Sequence, residues 1–511
     1  MNRRLYNVML DLHAVSGIIF SVIIFIIFFA GSFSFFRDEI VNWERNHPLD
    51  TQQEITEGID ALLDSAAVEH RLHGRDVEIS KHYSERRVGF YIAAAKDSLA
   101  TESDGAASFF YIDTKTYDQE AYESTYTLGE FIYRLHFLAQ IPYPFGYYLA
   151  GFVALMLLFA LITGIWVHWD KLLSNILLFR PWAKAKIIWT DLHTVLGTWG
   201  IPFQLVYAVT GSFFMIKALL IAPSVMMLYD GDQNQMYAAL EYTGTEYPMS
   251  GDTLKTDISI DAFIGQTYKD WDDFLIDHVH IANYGDANMH ITLEGKASSA
   301  FKLAGPGFRT YHAATANIVA EKSPYHTTSY MDQVKQLLYR LHFGDYGGYL
   351  LKFASFLMGL LSCAVVLSGV MIWITARDKK NVDEKKKRFN AWLGRVYLSI
   401  CWSMFPALAL TFILVKGAGI IGEASMYTTY FSTWLITTIL LIVNRDYALI
   451  ARYSLWLGGV LSLMIPVVHG LVDHQWIWNT LFNGYQHLFI VDMLWLTIGV
   501  ASIYAVRKIT R

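Results

Sequence analysis

The feature that most restricts this chain is a set of apolar runs, each about 20 residues or longer, the length needed to cross a bilayer. A segment in lipid must satisfy its backbone N–H and C=O groups internally, which leaves helices or a closed barrel. Runs near 13–36, 146–168, 192–221, 348–375, 395–415, 427–443, 453–470 and 486–506 predict eight membrane helices. Composition agrees, since 54% of the 511 residues are hydrophobic and only 17% are charged. The first run follows Asn2-Arg3-Arg4 and so imitates a signal peptide, but Val15 to Phe36 exceeds the ~7–15-residue core of one. A copy of it stands mid-chain at Val195–Ile221, so it reads as a retained helix.

That copy belongs to a larger duplication. Asp11-Leu12-His13-Ala14-Val15-Ser16-Gly17 returns as Asp191-Leu192-His193-Thr194-Val195-Leu196-Gly197. Gly31-Ser32-Phe33 returns as Gly211-Ser212-Phe213 at the same offset of 180 (193 − 13 and 211 − 31). Tyr133-Arg134-Leu135-His136-Phe137 returns as Tyr339-Arg340-Leu341-His342-Phe343, at an offset of 206 (342 − 136). Each half thus carries one His at the start of an apolar helix and another after a long polar insert.

Lys and Arg in short loops set orientation. Asn2-Arg3-Arg4, then Lys171, Arg180, Lys184 and Lys186, then Arg377–Arg388, then Arg445 and Arg452, and finally Arg507, Lys508 and Arg511 fall on one side. Both termini are then cytoplasmic and the inserts external. The expected parts are a first membrane helix (1–40), an external module (41–130) and helices two and three (131–221). A second module (222–335), helix four (336–380) and a four-helix extension (381–511) follow. In the first module, Glu54, Glu57, Asp60 and Asp64 mark a short amphipathic helix, with strands at Val88–Ala94 and Phe109–Asp113. The second repeats the order: a helix at Ile260–Lys269, then strands at Met289–Glu294, Ala300–Leu303 and Phe308–His312. The fold class is therefore a membrane α-helical bundle with two external α+β modules. Its internal repeat is parallel, about an axis along the membrane normal.

Such an axis brings equivalent residues to equal depth, His13 with His193 on the cytoplasmic side and His136 with His342 on the external side. Paired imidazoles across a bundle suit bis-histidine b-type haem. The two cysteines, Cys363 and Cys401, form no C-x-x-C, which excludes thiolate clusters and c-type haem. The bland alternative is that these histidines are interfacial residues copied by duplication. His168 competes as an inner ligand but has no repeat partner, Trp373 standing in its place, and reads as interfacial. His469 and His487, at outer ends of C-terminal helices, could hold a further centre but, with no repeat to support them, read as structural. Arg134 and Arg340 suit haem propionates through their forked donors, or serve as anchors and partners for the acidic modules. Asp11 and Asp191, each two residues before an inner His, read as helix N-terminal caps. Nothing points to nucleic acid, since the net charge is −6.

These phrases resemble the PepSY-associated transmembrane helix family, which includes iron-regulated membrane proteins and ferric-siderophore reductases of the bacterial inner membrane. The resemblance rests on Leu12-His13, Leu192-His193, Gly31, Gly211, Leu135-His136 and Leu341-His342. It extends to the helix endings Thr163-Gly164-Ile165-Trp166 and Ser368-Gly369-Val370-Met371-Ile372-Trp373. The inserts resemble PepSY modules, particularly Ile260–Lys322, and the likeness covers about residues 5–380. It implies a haem b protein, with two haems, that moves cytoplasmic electrons outward to reduce iron chelates. Axial ligation passes to His13, His193, His136 and His342. No residue is assigned a catalytic role apart from holding the cofactor.

The expected function is a periplasm-facing ferric-siderophore reductase of the inner membrane, set among membrane lipid. No flavin or nicotinamide motif occurs, so the donor is a separate cytoplasmic partner or quinol. Two rivals remain. One is a haem-free siderophore permease. Against it, proton-coupled transport usually needs buried acids, and the helices offer almost none, Asp492 being the main candidate. The other is a periplasmic protein-binding sensor in which the histidines are incidental.

Overall fold

The computed structural model describes residues 3–509 apart from 49–54, 56–57, 82, 97–105, 173, 175, 233–234, 237–245, 298–305, 326–328 and 380–381. In chain order the helices are α1 (Arg3–Ser34), α2 (Arg37–Arg45), α3 (Ile59–Glu69), α4 (Leu128–His136), α5 (Phe145–His168), α6 (Ala185–Leu228) and α7 (Ile260–Asp270). There follow α8 (Tyr330–Phe343), α9 (Gly348–Arg377), α10 (Glu384–Ala418), α11 (Glu423–Ile442), α12 (Tyr447–Val472), α13 (Ile477–Phe482) and α14 (Gln486–Ile509). The strands are β1 (Val77–Ser80), β2 (Arg87–Ile92), β3 (Ser108–Asp113), β4 (Gln119–Ala121), β5 (Phe274–Ala282), β6 (His290–Ala297), β7 (Gly307–His312) and β8 (Asn317–Lys322). The chain divides into a helical unit of residues 1–46, 127–223 and 341–511, and a second unit of 47–126 and 224–340.

Within the helical unit, seven helices among the described residues are long and apolar enough to cross a membrane: α1, α5, α6 to Lys217, α9, α10, α12 and α14. The eighth expected span, at 427–443, forms most of the 20-residue α11 but is not among the seven. Its Thr and Ser residues and Glu423 dilute its apolar character. Helix α1 packs on α4, α5 and α9, while α10 packs on α9, α11 and α12, and α12 on α14. Breaks fall where backbone chemistry demands them. Pro142 and Pro144 separate α4 from α5. Gly344 and Gly348 take φ of +63° and +54° between α8 and α9, a region closed to most side chains. Helix α6 runs past its expected end at 221 across a kink at Ile216.

Helix α2 departs from the expected division, which began the first insert at residue 41. It belongs to the helical unit as far as Asn46, and its Arg37, Glu39 and Asn42 are buried. Arg37 pairs with Glu130 of α4 at 3.0 Å, and Glu39 with Lys352 of α9 at 2.7 Å. Buried charges such as Arg37 and Glu39 are tolerated among apolar neighbours because each meets an opposite one.

The second unit is one sheet rather than two separate modules. Its eight strands run β4-β3-β2-β1-β5-β6-β7-β8. The inserts join at the antiparallel pair β1–β5, with Val77 opposite Ile281 and Ser80 opposite His278. Helices α3 and α7 cap each other. Asp261 Oδ1 accepts from Ile59 N at 2.9 Å, and Asp60 Oδ1 accepts from Ile260 N at 2.8 Å. Their apolar faces, Ile59, Leu62 and Ile264 among them, share one buried cluster with Val77, Val279 and Ile291 of the sheet. Strands β1, β4, β5 and β8 were not expected. The expected strand Ala300–Leu303, like Glu54, Glu57, Asn2 and Arg511, lies outside the described residues.

Candidate functional site

The four repeated histidines form two pairs in the helical unit. The rings of His13 on α1 and His193 on α6 stand 6.1 Å apart between centroids, at an interplanar angle of 69°. Those of His136, the last residue of α4, and His342, near the end of α8, stand 6.0 Å apart at 43°. All four rings are half-buried, so each keeps part of its surface open.

Each ring is anchored through Nδ1. His13 Nδ1 donates to the Ala160 carbonyl at 2.9 Å, and His193 Nδ1 to the Val365 carbonyl at 2.9 Å. His136 Nδ1 donates to the Ile27 carbonyl at 2.8 Å. A carbonyl only accepts, so these bonds place the proton on Nδ1 and the lone pair on Nε2. His342 reaches the same state through Thr210. The Thr210 hydroxyl donates to Val206 O at 2.7 Å, so its oxygen accepts from His342 Nδ1 at 2.8 Å. Metal-bound imidazoles are commonly oriented in this way, by a hydrogen bond from the other ring nitrogen.

Small residues make room for three of the rings. A Cβ on Gly164 would stand 3.0 Å from His13 Cε1, and one on Gly369 would stand 3.2 Å from His193 Cε1. One on Gly31 would stand 2.5 Å from His136 Nδ1. His342 departs from the pattern, with Tyr207 and Phe214 each 5.1 Å from its ring centre.

The pairs fit bis-histidine ligation of a haem iron. Two metal–nitrogen bonds of ~2 Å, plus ~1.2 Å from each nitrogen to its ring centre, put the centroids ~6 Å apart. Along α1, His13 and the Ile27 carbonyl that holds His136 are separated by ~21 Å (27 − 13 residues at ~1.5 Å each). The two pairs therefore span much of a ~30 Å hydrocarbon core.

Other candidates fall elsewhere. His168 ends α5, close enough to act electrostatically on His13 and His193 but in neither pair. Arg134 Nη1 stands 4.0 Å from Glu130 Oε1, and Arg340 is half-buried on α8. Asp11 and Asp191 do not cap. Asp11 lies inside α1, which begins at Arg3. Buried Asp191 lies inside α6 and holds the Arg180 guanidinium at 2.8 Å through both oxygens, tying down the preceding loop. His487 meets Asn42 at 2.9 Å, and His469 meets Asp492 at 2.8 Å. Sequence reasoning missed Thr210, whose only signal is its place one residue before the repeated Gly211.

Residues 10–376 match the family model described as the PepSY-associated TM region. An uncharacterized protein of Pseudomonas aeruginosa is 22% identical over 297 residues, covering 55% of this chain and 71% of the relative. With the matched region spanning both histidine pairs and both inserts, the chain is a multi-pass membrane protein that belongs to the PepSY-associated TM region family.

Proposed function

We propose that this protein is a di-haem b oxidoreductase of the bacterial inner membrane, passing electrons outward to reduce chelated Fe(III), with ferric siderophores as the foremost acceptors. The observation that carries this is the shared state of the four imidazoles: Nδ1 committed as donor, Nε2 left to ligate, rings paired at about 6 Å. His13 and His193 would hold the inner haem, and His136 and His342 the outer one. Haem supplies the one-electron chemistry when bound. The chain's own part is to fix ring orientation, to commit Nδ1 as the donor so that Nε2 keeps its lone pair, and to set the two centres on opposite sides of the bilayer. Arg134 and Arg340 stand two residues before the outer ligands, suited to propionates.

The palindromic sheet order supports an internal repeat. Offset 201 relates Asp60 to Asp261 and maps the pairing of Val77 with Ile281 onto that of Ser80 with His278. Helix α11, at 20 residues and thus ~30 Å long, would serve as an eighth crossing. Both termini are then cytoplasmic and the inserts periplasmic. The donor is a cytoplasmic protein or quinol.

The test is the reduced-minus-oxidised visible spectrum of detergent-purified protein, with pyridine haemochrome quantitation. About two non-covalent haems per chain are expected, with one lost in His13→Ala and in His193→Ala and the other in His136→Ala and in His342→Ala. Protein that stays colourless after expression with ample haem removes the redox function. It would promote an iron-chelate permease, a second reading favoured by the buried acid Asp492.

A further inference from the structure

A group of ionisable side chains meets inside the C-terminal helices, away from the histidine pairs. Asp492 on α14 and His469 on α12 are both fully buried, with His469 Nδ1 2.8 Å from Asp492 Oδ2. Trp43 Nε1 of α2 donates to the other Asp492 oxygen at 2.9 Å. Lys416 of α10 pairs with Asp473 and donates to the carbonyls of Trp43 and Glu44 at 2.6 and 3.1 Å. His469 Nε2 faces Asp473 at 3.7 Å and has no hydrogen-bond partner. Ionisable groups at membrane depth are costly unless paired, and they mark proton and ion pathways.

Charge counting says what the group holds. With His469 neutral, two carboxylates face one ammonium, leaving one negative charge in a low-dielectric interior. With His469 doubly protonated the charges balance, and both ring nitrogens point donors at carboxylate oxygens, which only accept. One proton is therefore the natural ligand, shared between His469 and Asp492. The other charged groups in contact are few. The Glu44 carboxylate is taken by Leu128 N at 2.6 Å, and His487 of α14 by Asn42. Asp473 has 16% of its side chain exposed and is the opening to water.

Helix α2 connects this group to the outer histidines. Trp43 holds Asp492, and on the same short helix Arg37 holds Glu130 at 3.0 Å. Glu130 belongs to α4, which ends at His136. We propose that the Asp492–His469 pair is a proton-exchange site buried near the ends of the C-terminal helices, taking one proton from water when an electron arrives and returning it when the electron leaves. An electron held on a bound haem would add one negative charge, and one proton moving from water to the pair would offset it, so the buried charge would be unchanged. The electron in this scheme rests on the haem assignment, whereas the proton site does not.

Infrared difference spectroscopy of the full chain in lipid tests both parts. Titration between about pH 4 and 10, covering carboxylate, imidazole and lysine ranges, should show carboxyl and imidazole bands changing together. The change should be absent in Asp492→Asn and His469→Gln, both checked for folding by size exclusion, and kept in the control Tyr453→Phe. Wild-type and Asp492→Asn spectra that superimpose at every pH overturn the site, whether or not haem is bound. If both variants fail to fold, a wild-type band change that does not shift on ¹³C-histidine labelling overturns it. Chemical reduction should give the same bands with uptake of about one proton. Reduction without these bands overturns the coupling, while colourless protein with the pH bands intact overturns only the haem assignment.

Discussion

Gly31 stands directly against His136: a Cβ there would lie 2.5 Å from Nδ1 and 2.7 Å from Cε1 of the ring. The imidazole would have to leave the Ile27 carbonyl. Overpacking of this kind costs about 1–3 kcal/mol, here concentrated on the ring. Gly31→Ala should therefore lower haem content by about one per chain, selectively at the outer site. Gly211, its copy in the sequence, meets only Ala154 Cβ at 3.4 Å, so Gly211→Ala should leave both haems in place. Equal losses in the two variants, read by pyridine haemochrome, would contradict this geometry.

Thr210 replaces a carbonyl as the acceptor for His342 Nδ1. Removing such an outer partner commonly weakens a metal site about 10–100-fold. Thr210→Val keeps the shape and loses the acceptor, so haem dissociation from the outer site should accelerate by about that factor, with the inner site unchanged. Thr210→Ser restores the oxygen and should restore retention. The measurement is haem transfer to an apoprotein acceptor followed by absorbance. Equal rates for Val and Ser would show that Thr210 acts only by packing.

Asp60 and Asp261 close each other's helices in the sheet-bearing unit. An N-cap is worth about 1 kcal/mol. Asp60→Ala should loosen α7 and Asp261→Ala should loosen α3, because each carboxylate serves the opposite helix. Hydrogen exchange of the full chain reads this as faster exchange at Ile59–Leu62 and Ile260–Phe263. The double variant should fall short of the summed effects, since the partners are coupled. Loosening confined to the mutated helix would refute reciprocal capping.

Asp286 is fully buried. Burial alone would raise its pKa, but donors from Asn288 N, Ser250 N, Ser250 Oγ and Gly251 N outweigh that and hold it below its usual 3.8. A depressed folded value means that the stabilisation is complete above the unfolded value and is lost as pH falls through the folded one. The loop at 250–251 should stay protected from exchange at neutral pH and open on acidification below about pH 4. Asp286→Asn should remove that acid step. Persistence of the step in the variant would assign it elsewhere.

The legible parts of this chain are those with one physical solution. An apolar run in lipid must be a helix, and α1, α5, α9, α10, α12 and α14 follow. The repeated phrases marked all four imidazoles because duplication shows in residue identity, before any fold. Helix α2 was illegible: the expected division at residue 40 splits Arg37-Asp38-Glu39-Ile40-Val41-Asn42-Trp43 between the first membrane helix and the first insert. Its burial depends on Glu130, Lys352, His487 and Asp492, far along the chain. The union of the inserts was hidden for a related reason. Strand β1 is four residues long, and β5 carries Asp277 at a register shift between Ile276 and His278, so neither shows a clean alternation. The cluster at Asp492 escaped because His469 and Asp492 have no repeat to advertise them.

The inserts also make a prediction about acceptors. Residues 41–130 hold 8 Lys+Arg against 18 Asp+Glu, and 222–335 hold 7 against 15, nets of 8 − 18 = −10 and 7 − 15 = −8. If the outer haem is reoxidised from the side that carries these inserts, an anionic acceptor approaches against this field and a cationic or neutral one does not. Electrostatic steering changes encounter rates by about tenfold or more at low salt. Chemically reduced protein mixed anaerobically with ferric chelates should reoxidise fastest with cationic or neutral ones. The difference should collapse near 1 M salt, where the Debye length is ~3 Å. His136→Ala should abolish the fast phase with every chelate. A preference for anionic chelates, or an order indifferent to salt, would show that the acidic inserts do not face the acceptor's path. Reoxidation by a quinone but by no ferric chelate would remove iron as the substrate while leaving the electron path in place.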